Sequence, residues 1–585
     1  MLTTQLLSSN AGAMQYTSQF FARHSPLVTH HSLVLAFAWP QPLAPAHSLG
    51  ISALIATLPL AVVLILMGGL RKSGALSAAM GLATAFVLAV LVWRMPIHLA
   101  ALSGLYGCAY ALWPILWIVF AALWLYNLTV DTHKFDLLRR WMGEHASGDP
   151  CVQAILVAFC FGALLEGTAG FGSPVAVAGF LLLGLGFTAR QSITLALIAN
   201  TTPVAFGGLG IPIVALAGVT GLSLMKLSAM VGRQLPFLSF VLPAYLVWTI
   251  AGLRGLKRAW PAALVGGSSF ALAQFICSNF WGPYAADIVA AMTSTAAVIL
   301  LLRVWRPRTD PSAQHIDLQT RADPPPLHRG SGEVNKAAED PLSTWEALSA
   351  WAPWVLLAAV MVVWSHLNLF AVGQKVIPVP HLHQAVFITL YQKPYNAVFS
   401  FQPLAAGTAA LTTVLLTALL FRIPPRVVAA SGIKTFRQLL RPGLTTSLIV
   451  ALAYLYNYAG MAYTLGAFLA GLGKLFPLVS GFLGWIACFL SGSDTASNLL
   501  FGNLQVAAAH QIGVNPILLA ATNTSGAVTG KMISPQNIAV GVTTLGLVGH
   551  EGDVVRSTLG HSLLLALLLS LIAFAQAYWL SGMIP

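Results

Sequence analysis

Charge is what this chain has least of. Asp, Glu, Lys and Arg make up 8% of 585 residues, and only sixteen residues are acidic. A soluble domain of this length needs far more polar surface, so the composition excludes one. Cysteine is scarce as well. Cys108, Cys151, Cys160, Cys277 and Cys488 show no metal or redox spacing and mostly lie in apolar runs, which leaves them a packing role. No basic run followed by an apolar core and a small-residue cleavage site opens the chain, so no cleaved signal is expected. His30 and His31 have no further ligands at regular spacing and read as a solvated pair. The formal net charge of +13 does not imply nucleic acid, because Lys and Arg sit in short loops between apolar runs, where membrane topology accounts for them.

What fills the sequence instead is apolar: 57% of residues are hydrophobic, with a mean hydropathy of +0.80. Runs long enough to cross about 30 Å of hydrocarbon as helix fall near 50–69, 75–95, 108–129, 190–224, 235–253, 260–279, 284–304, 349–370, 403–421, 444–464, 514–548 and 558–582. The expected fold is an all-α polytopic membrane protein of about twelve transmembrane helices plus two re-entrant hairpins in inverted repeats. Residues 1–48 read as an N-terminal extension, 49–304 as a first transmembrane half, 305–345 as a polar cytoplasmic linker and 346–585 as a second half. The segment 374–395, with His381, His383 and several prolines, reads as an external loop cover.

The first hairpin is expected over 154–187. Apolar residues on either side of Glu166-Gly-Thr-Ala-Gly-Phe-Gly-Ser-Pro174 are too few to span the bilayer as helix, so the stretch should enter and leave on one side. Non-helical backbone at that depth is tolerated only where protein or a water-filled cavity satisfies its polar groups, so the tip should line a binding site. The second hairpin is expected over 476–511, around Ser491-Gly-Ser-Asp-Thr-Ala-Ser-Asn498. Setting Thr168 against Thr495 places Glu166 against Ser493, with Asp494 one residue later. Asn200-Thr201, Gly207 and Pro212 recur as Asn523-Thr524, Gly530 and Pro535 at unchanged spacing, and Leu125-Tyr126-Asn127 as Leu455-Tyr456-Asn457. An ordered series of this kind marks an internal repeat, the usual build of a secondary transporter. Lys and Arg concentrate on one side of the threading, which makes that side cytoplasmic, and the odd number of spans between the hairpins makes the repeats inverted.

Each hairpin is followed by a span that Pro, Gly and Asn interrupt, 200–212 and 523–535. Half-helix N-termini facing the tips would favour a small anion, with hydroxyl and amide donors around it and Lys531 as countercharge. Glu166 and Asp494 are expected to be functional, because an acidic side chain at a re-entrant tip has neither the stem nor the nearby interface to escape to water. The expected substrate contacts are Thr168, Gly170, Ser173, Asn200, Thr201, Ser493, Thr495, Asn498, Asn523, Thr524 and Lys531. Gly170 and Gly207 have a plainer reading as sites of close helix packing. Lys531 has one as a structural partner for a carboxylate, and Asp287 and His366, near the ends of apolar runs, stand between interfacial solvation and function. No metal or cofactor is expected.

The blocks Glu166-Gly-Thr-Ala-Gly-Phe-Gly-Ser-Pro-Val-Ala, Val231-Gly-Arg-Gln-Leu-Pro-Phe, Gly492-Ser-Asp-Thr-Ala-Ser-Asn and Gly530-Lys-Met-Ile-Ser-Pro-Gln-Asn resemble those of the bacterial L-lactate permease family, over about residues 39–585. The resemblance implies proton-coupled uptake of L-lactate, often also D-lactate and glycolate, across the bacterial inner membrane, with Glu166 and Asp494 as the expected proton-coupling residues. It also implies a small monocarboxylate, protons and the lipid bilayer as partners. A sodium-coupled carboxylate symporter would share the hairpins. A membrane-embedded enzyme would need a nucleophile with a base, or metal ligands, and no such cluster is present.

Overall fold

Glycine and proline punctuation, more than propensity, divides this apolar chain into elements. The computed structural model describes residues 38–145, 149–170, 172–305, 307 and 342–585. Its helices are α1 Leu49–Leu64, α2 Gly74–Leu91, α3 Ile97–Tyr110, α4 Trp117–Asp131, α5 Lys134–His145, α6 Pro150–Thr168, α7 Ser173–Gly184, α8 Ala189–Ala199, α9 Gly207–Thr220, α10 Leu224–Val231, α11 Leu235–Phe280, α12 Ala286–Val304, α13 Thr344–His366, α14 Ala406–Leu420, α15 Pro425–Ala459, α16 Met461–Leu469, α17 Phe476–Ser491, α18 Asp494–Ile512, α19 Pro516–Lys531, α20 Pro535–Thr544 and α21 Glu551–Tyr578. The protein is all-α and polytopic. The linker expected over 305–345 lies outside the described residues except at its two ends.

Among the described residues ten helices are long and apolar enough to cross a membrane, or eleven if the pair α8 and Val204–Thr220, bent by 65°, is one span. The expectation was about twelve. Part of the difference lies in α11, a single helical run of 46 residues whose Gly252 takes φ 60° and ψ −159°. The run doubles back there: a Cβ on Gly267 would fall 2.2 Å from the carbonyl oxygen of Phe240, and Ser239 Oγ donates to Gln274 Oε1 at 2.8 Å. Two arms thus occupy the expected spans 235–253 and 260–279. In α14 the span is only 15 residues.

The largest departure is α15. Arg426, Lys434, Arg437 and Arg441, expected in a cytoplasmic loop before a span at 444–464, ride on one 35-residue helix that ends where Gly460 takes φ 93°. A stripe of small residues holds it to its neighbour. Gly432 rests on Trp124, Thr435 Oγ1 accepts from Asn127 Nδ2 at 2.8 Å, and Lys434 Nζ meets Asp131 Oδ1 at 2.5 Å. Farther along, Gly107 lies directly on Ala451, so α15 runs antiparallel to α3 and α4.

The segment expected as an external loop cover is a small β-structure. β2 Lys375–Pro378 pairs antiparallel with β5 Val398–Phe401, and β3 Val386–Ile388 pairs with β4 Lys393–Pro394 and, in parallel, with β1 Trp39–Pro40. Residues 39–43, expected within the N-terminal extension, therefore belong to the fold. Gln41 is buried, and its amide donates to the carbonyls of Asn457 and Tyr458 at 3.0 and 2.8 Å beside the break at Gly460.

Both expected hairpins fold back on themselves, but α6, 19 residues long, is among the ten helices long and apolar enough to cross a membrane, where too few apolar residues to span were expected before the tip. In the first, Gly162 of α6 packs on Ala178 of α7. In the second, Ser480 Oγ donates to Gln505 Oε1 at 2.8 Å and Ser497 Oγ to the carbonyl of Gly484 at 3.2 Å, contacts that join the arms on either side of Gly492. α17 also lies on α19 at glycine distance. A Cβ on Gly484, Gly526 or Gly530 would fall 2.0 to 2.2 Å from a carbonyl oxygen of the other helix. Approach this close lets dispersion contact replace the missing hydrophobic drive within a membrane.

Candidate functional site

The first hairpin ends α6 at a place only glycine can turn. Gly170 and Gly172 take φ of 56° and 84°, the left-handed region, before Pro174 starts α7 from its first turn. Two residues before Thr168 stands Glu166, 3% exposed. The broken span opposite it runs through left-handed backbone at Gly208, Leu209 and Gly210, and Gly207 faces the carboxyl. A Cβ there would sit 2.6 Å from Glu166 Oε1. The close approach requires glycine.

The countercharge comes from the far half of the chain. Lys531, at the end of α19 and 7% exposed, donates from Nζ to Glu166 Oε1 at 2.7 Å. The helix stops at this lysine, and Ser534 caps the next helix α20 by accepting from the amide of Asn537. Asn537 Nδ2 and Ser534 Oγ donate in turn to the carbonyl of Lys531 at 3.2 and 3.0 Å. The ammonium is thus presented from a braced helix end. A buried ion pair is costly to desolvate and persists only with good geometry.

Asp494 completes a buried charged group. It is 3% exposed, in the first turn of α18, and interacts electrostatically with both Lys531 and Glu166. Neither of its carboxyl oxygens has a hydrogen-bond partner among the described residues, nor do Glu166 Oε2, Asn200 Oδ1 or the hydroxyls of Thr201 and Thr202. Buried polar atoms without partners are uncommon, and so many in one place mark a site that something polar completes. Asn200, Lys531 and Asn537, with Val175, Leu197, Val528 and Met532, line a narrow crevice too tight in this conformation to admit a water molecule.

Several other expected contacts, Thr168, Ser493, Asn498, Asn523 and Thr524, are hydrogen-bonded within the protein. Asn498 Oδ1 accepts from Asn523 Nδ2 at 2.9 Å and Thr524 Oγ1 at 2.8 Å, while its Nδ2 donates to the carbonyl of Pro212 at 3.1 Å. One amide therefore ties the second hairpin to both broken spans. Thr168 Oγ1 donates back to the carbonyls of Leu164 and Leu165. Gly170 lies against Glu166 and the amide of Gly208, Ser493 caps α18 by accepting from the amide of Ala496, and Thr495 is half-buried. The side chain of Ser173 lies outside the described residues.

Near the site, Asn537 was not expected as a site residue, and Asp287 had stood between interfacial solvation and function. Asn537 belongs to the block that carried the resemblance, and its position there was the available signal. Asp287 stands beside the hairpin tip, held by Gln274; a lone Gln within the apolar run 260–279 was the hint that something polar lies across from it.

The family model described as L-lactate permease matches residues 52–580. The glycolate permease GlcA of Escherichia coli (strain K12) is 42% identical over 563 residues, 93% of this chain and 99% of that protein. The L-lactate permease of Bacillus subtilis (strain 168) is 40% identical over 577 residues, 94% of this chain and all of that protein. The L-lactate permease of Escherichia coli (strain K12) is 39% identical over 566 residues, with the same coverage.

Proposed function

Because the chain belongs to the L-lactate permease family, it is a multi-pass membrane permease and not an enzyme, and we propose that it takes up L-lactate, D-lactate and glycolate with protons across the bacterial inner membrane. The observation that carries this reading is the buried pair of Glu166 and Lys531. Lys531 is the natural partner for a substrate carboxylate, but Glu166 occupies it. A proton on Glu166 removes that competitor, frees the ammonium for the substrate and leaves the loaded site without net charge from these three groups. Carrying a bare carboxylate through hydrocarbon would be costly, and this arrangement avoids it.

In this reading the substrate carboxylate binds Lys531, and Asn200 and Thr201 take the hydroxyl, since both line or adjoin the crevice with oxygens still unpartnered. Asp494 is the second proton-coupling residue. Asn498, Asn523 and Thr524 hold the two broken spans in register around the substrate rather than binding it. The hairpins enter from opposite sides, and the halves exchange access around the pair, one supplying Glu166 and the other Lys531.

The test is uptake of labelled L-lactate and glycolate into proteoliposomes carrying the purified chain. An inward pH gradient should drive accumulation without sodium. Accumulation that follows a sodium gradient and ignores the pH gradient would overturn proton coupling.

A further inference from the structure

A second buried carboxyl stands where the first hairpin turns. Asp287 is 1% exposed and lies in the first turn of α12. α12 runs antiparallel to α6: a Cβ on Gly167 would fall 3.1 Å from Asp287 Cβ, while Gly266 lies between Ile155 and Val298, well down both helices. The turn before α12 presses on the broken span as well, since Gly210 has room for no Cβ against Pro283. Asp287 is therefore packed against the hairpin, and the turn just before it against the broken span, the two elements whose breaks form the site.

Among the described residues its surroundings are polar but hold no cation. Oδ1 accepts from Gln274 Nε2 at 3.0 Å, and Gln274 is itself fixed by Ser239. Oδ2 is buried without a partner among the described residues, as is Glu166 Oε2. The titratable groups that act on Asp287 are Glu166 from α6 and Cys277 from α11, neither of them cationic, and Lys531 is engaged by Glu166. A purely structural carboxylate would be expected to have a cation or a full set of donors here, because burying one without them is expensive. A bound proton meets that need.

We propose that Asp287 is a further proton-binding residue of the transport cycle, beside Glu166 and Asp494, working with Glu166 across Gly167. This rests on the proton-coupled reading above. The proton leaves Asp287 Oδ2 for Glu166 Oε2, so that Asp287 becomes a carboxylate held by Gln274 and the N-terminal dipole of α12. Glu166 becomes neutral and releases Lys531 to the substrate. Gln274 is a positioning residue in this step: it stabilises the charged form of Asp287.

The experiment measures protons taken up per lactate, and the pH profile of lactate exchange, in proteoliposomes of the full chain. Asp287→Asn should lower the protons taken up per lactate and remove one step from the pH profile, and Asp287→Glu should restore the step. Gln274→Leu leaves the carboxyl in place but removes its donor, so it should move the pH of half-maximal exchange upward. A wild-type proton count and profile in both Asp287→Asn and Gln274→Leu would overturn the proposal and leave proton coupling standing. If Asp287→Asn does not insert, Gln274→Leu decides alone. If the wild type itself takes up no protons with lactate, the proton-coupled reading fails and this one with it.

Discussion

Glu166 and Lys531 lie 365 positions apart in sequence and 2.7 Å apart in space, each almost fully buried. The contact joins a hairpin tip in the first half to a helix end in the second. Any motion of one half against the other must stretch it, so the pair both occupies the proposed substrate position and latches the halves together.

Glu166→Gln mimics the protonated side chain permanently and leaves Lys531 free. The variant should still exchange labelled lactate across the bilayer but lose accumulation driven by a pH gradient. A variant that continues to concentrate lactate with protons moving would shift the role to Asp494, testable with Asp494→Asn.

Lys531→Gln keeps much of the stem and removes the charge. Loss of a charge-assisted hydrogen bond weakens binding by about 1.5–3 kcal/mol, a rise in lactate Kd of about tenfold to about 150-fold. Calorimetry or scintillation proximity binding on the detergent-purified protein reads this directly. An unchanged Kd in a correctly folded variant would make the lysine structural.

Gly207→Ala tests the close approach to Glu166. The added methyl meets Oε1 at 2.6 Å and the carboxyl carbon at 3.2 Å, so the side chain must move and its bond to Lys531 must lengthen. Overpacking of this kind costs about 1–3 kcal/mol. Transport should fall while the helical circular-dichroism signal is retained, and Gly207→Ser should be no better. Normal transport in Gly207→Ala would mean that Glu166 has room to adapt and that the pair is not geometrically constrained.

Asn498→Ala separates framework from binding. It removes the acceptor of Thr524 Oγ1, one of two acceptors of Asn523 Nδ2, which keeps Ser497 Oγ, and a side-chain donor to the Pro212 carbonyl; a buried polar group left unsatisfied costs about 1–3 kcal/mol. The expected result is a clear drop in Tm in detergent, with the Kd for lactate in the surviving folded fraction moving little. A large Kd change with wild-type Tm would place Asn498 among the substrate contacts.

Topology is open to thiol labelling. Arg422 and Lys474 are both exposed and carry opposite expectations. A cysteine at 422 should be shielded from an impermeant reagent in intact cells and one at 474 labelled, and the reverse pattern would overturn the inverted-repeat threading.

Composition alone determined the class of this protein, since a chain with 8% charge has no water-facing shell to fold within. The places where the chain turns were equally legible. Gly170, Gly172, Gly208, Gly210 and Gly492 all take left-handed backbone, and Pro174 and Pro535 sit at helix starts, so the interruptions at the tips and in the broken spans follow from residue type. The candidate residues Glu166, Asp494, Asn200, Thr201 and Lys531 stood out locally, as polar groups where hydrocarbon was expected.

What no local pattern contains is which of these groups meet. That Lys531 reaches Glu166, that Asn498 bonds to the Pro212 carbonyl rather than lying open, and that Asp287 backs onto Gly167 were decided by helix packing between distant segments. The same is true of α15, where basic residues that read as a loop were drawn into helix by a stripe of Ser431, Gly432, Thr435 and Gly443 buried largely against α4. Periodicity records which face of a helix is apolar. The partner for that face depends on the whole set of helices competing to bury it, and that competition is settled only in the folded chain.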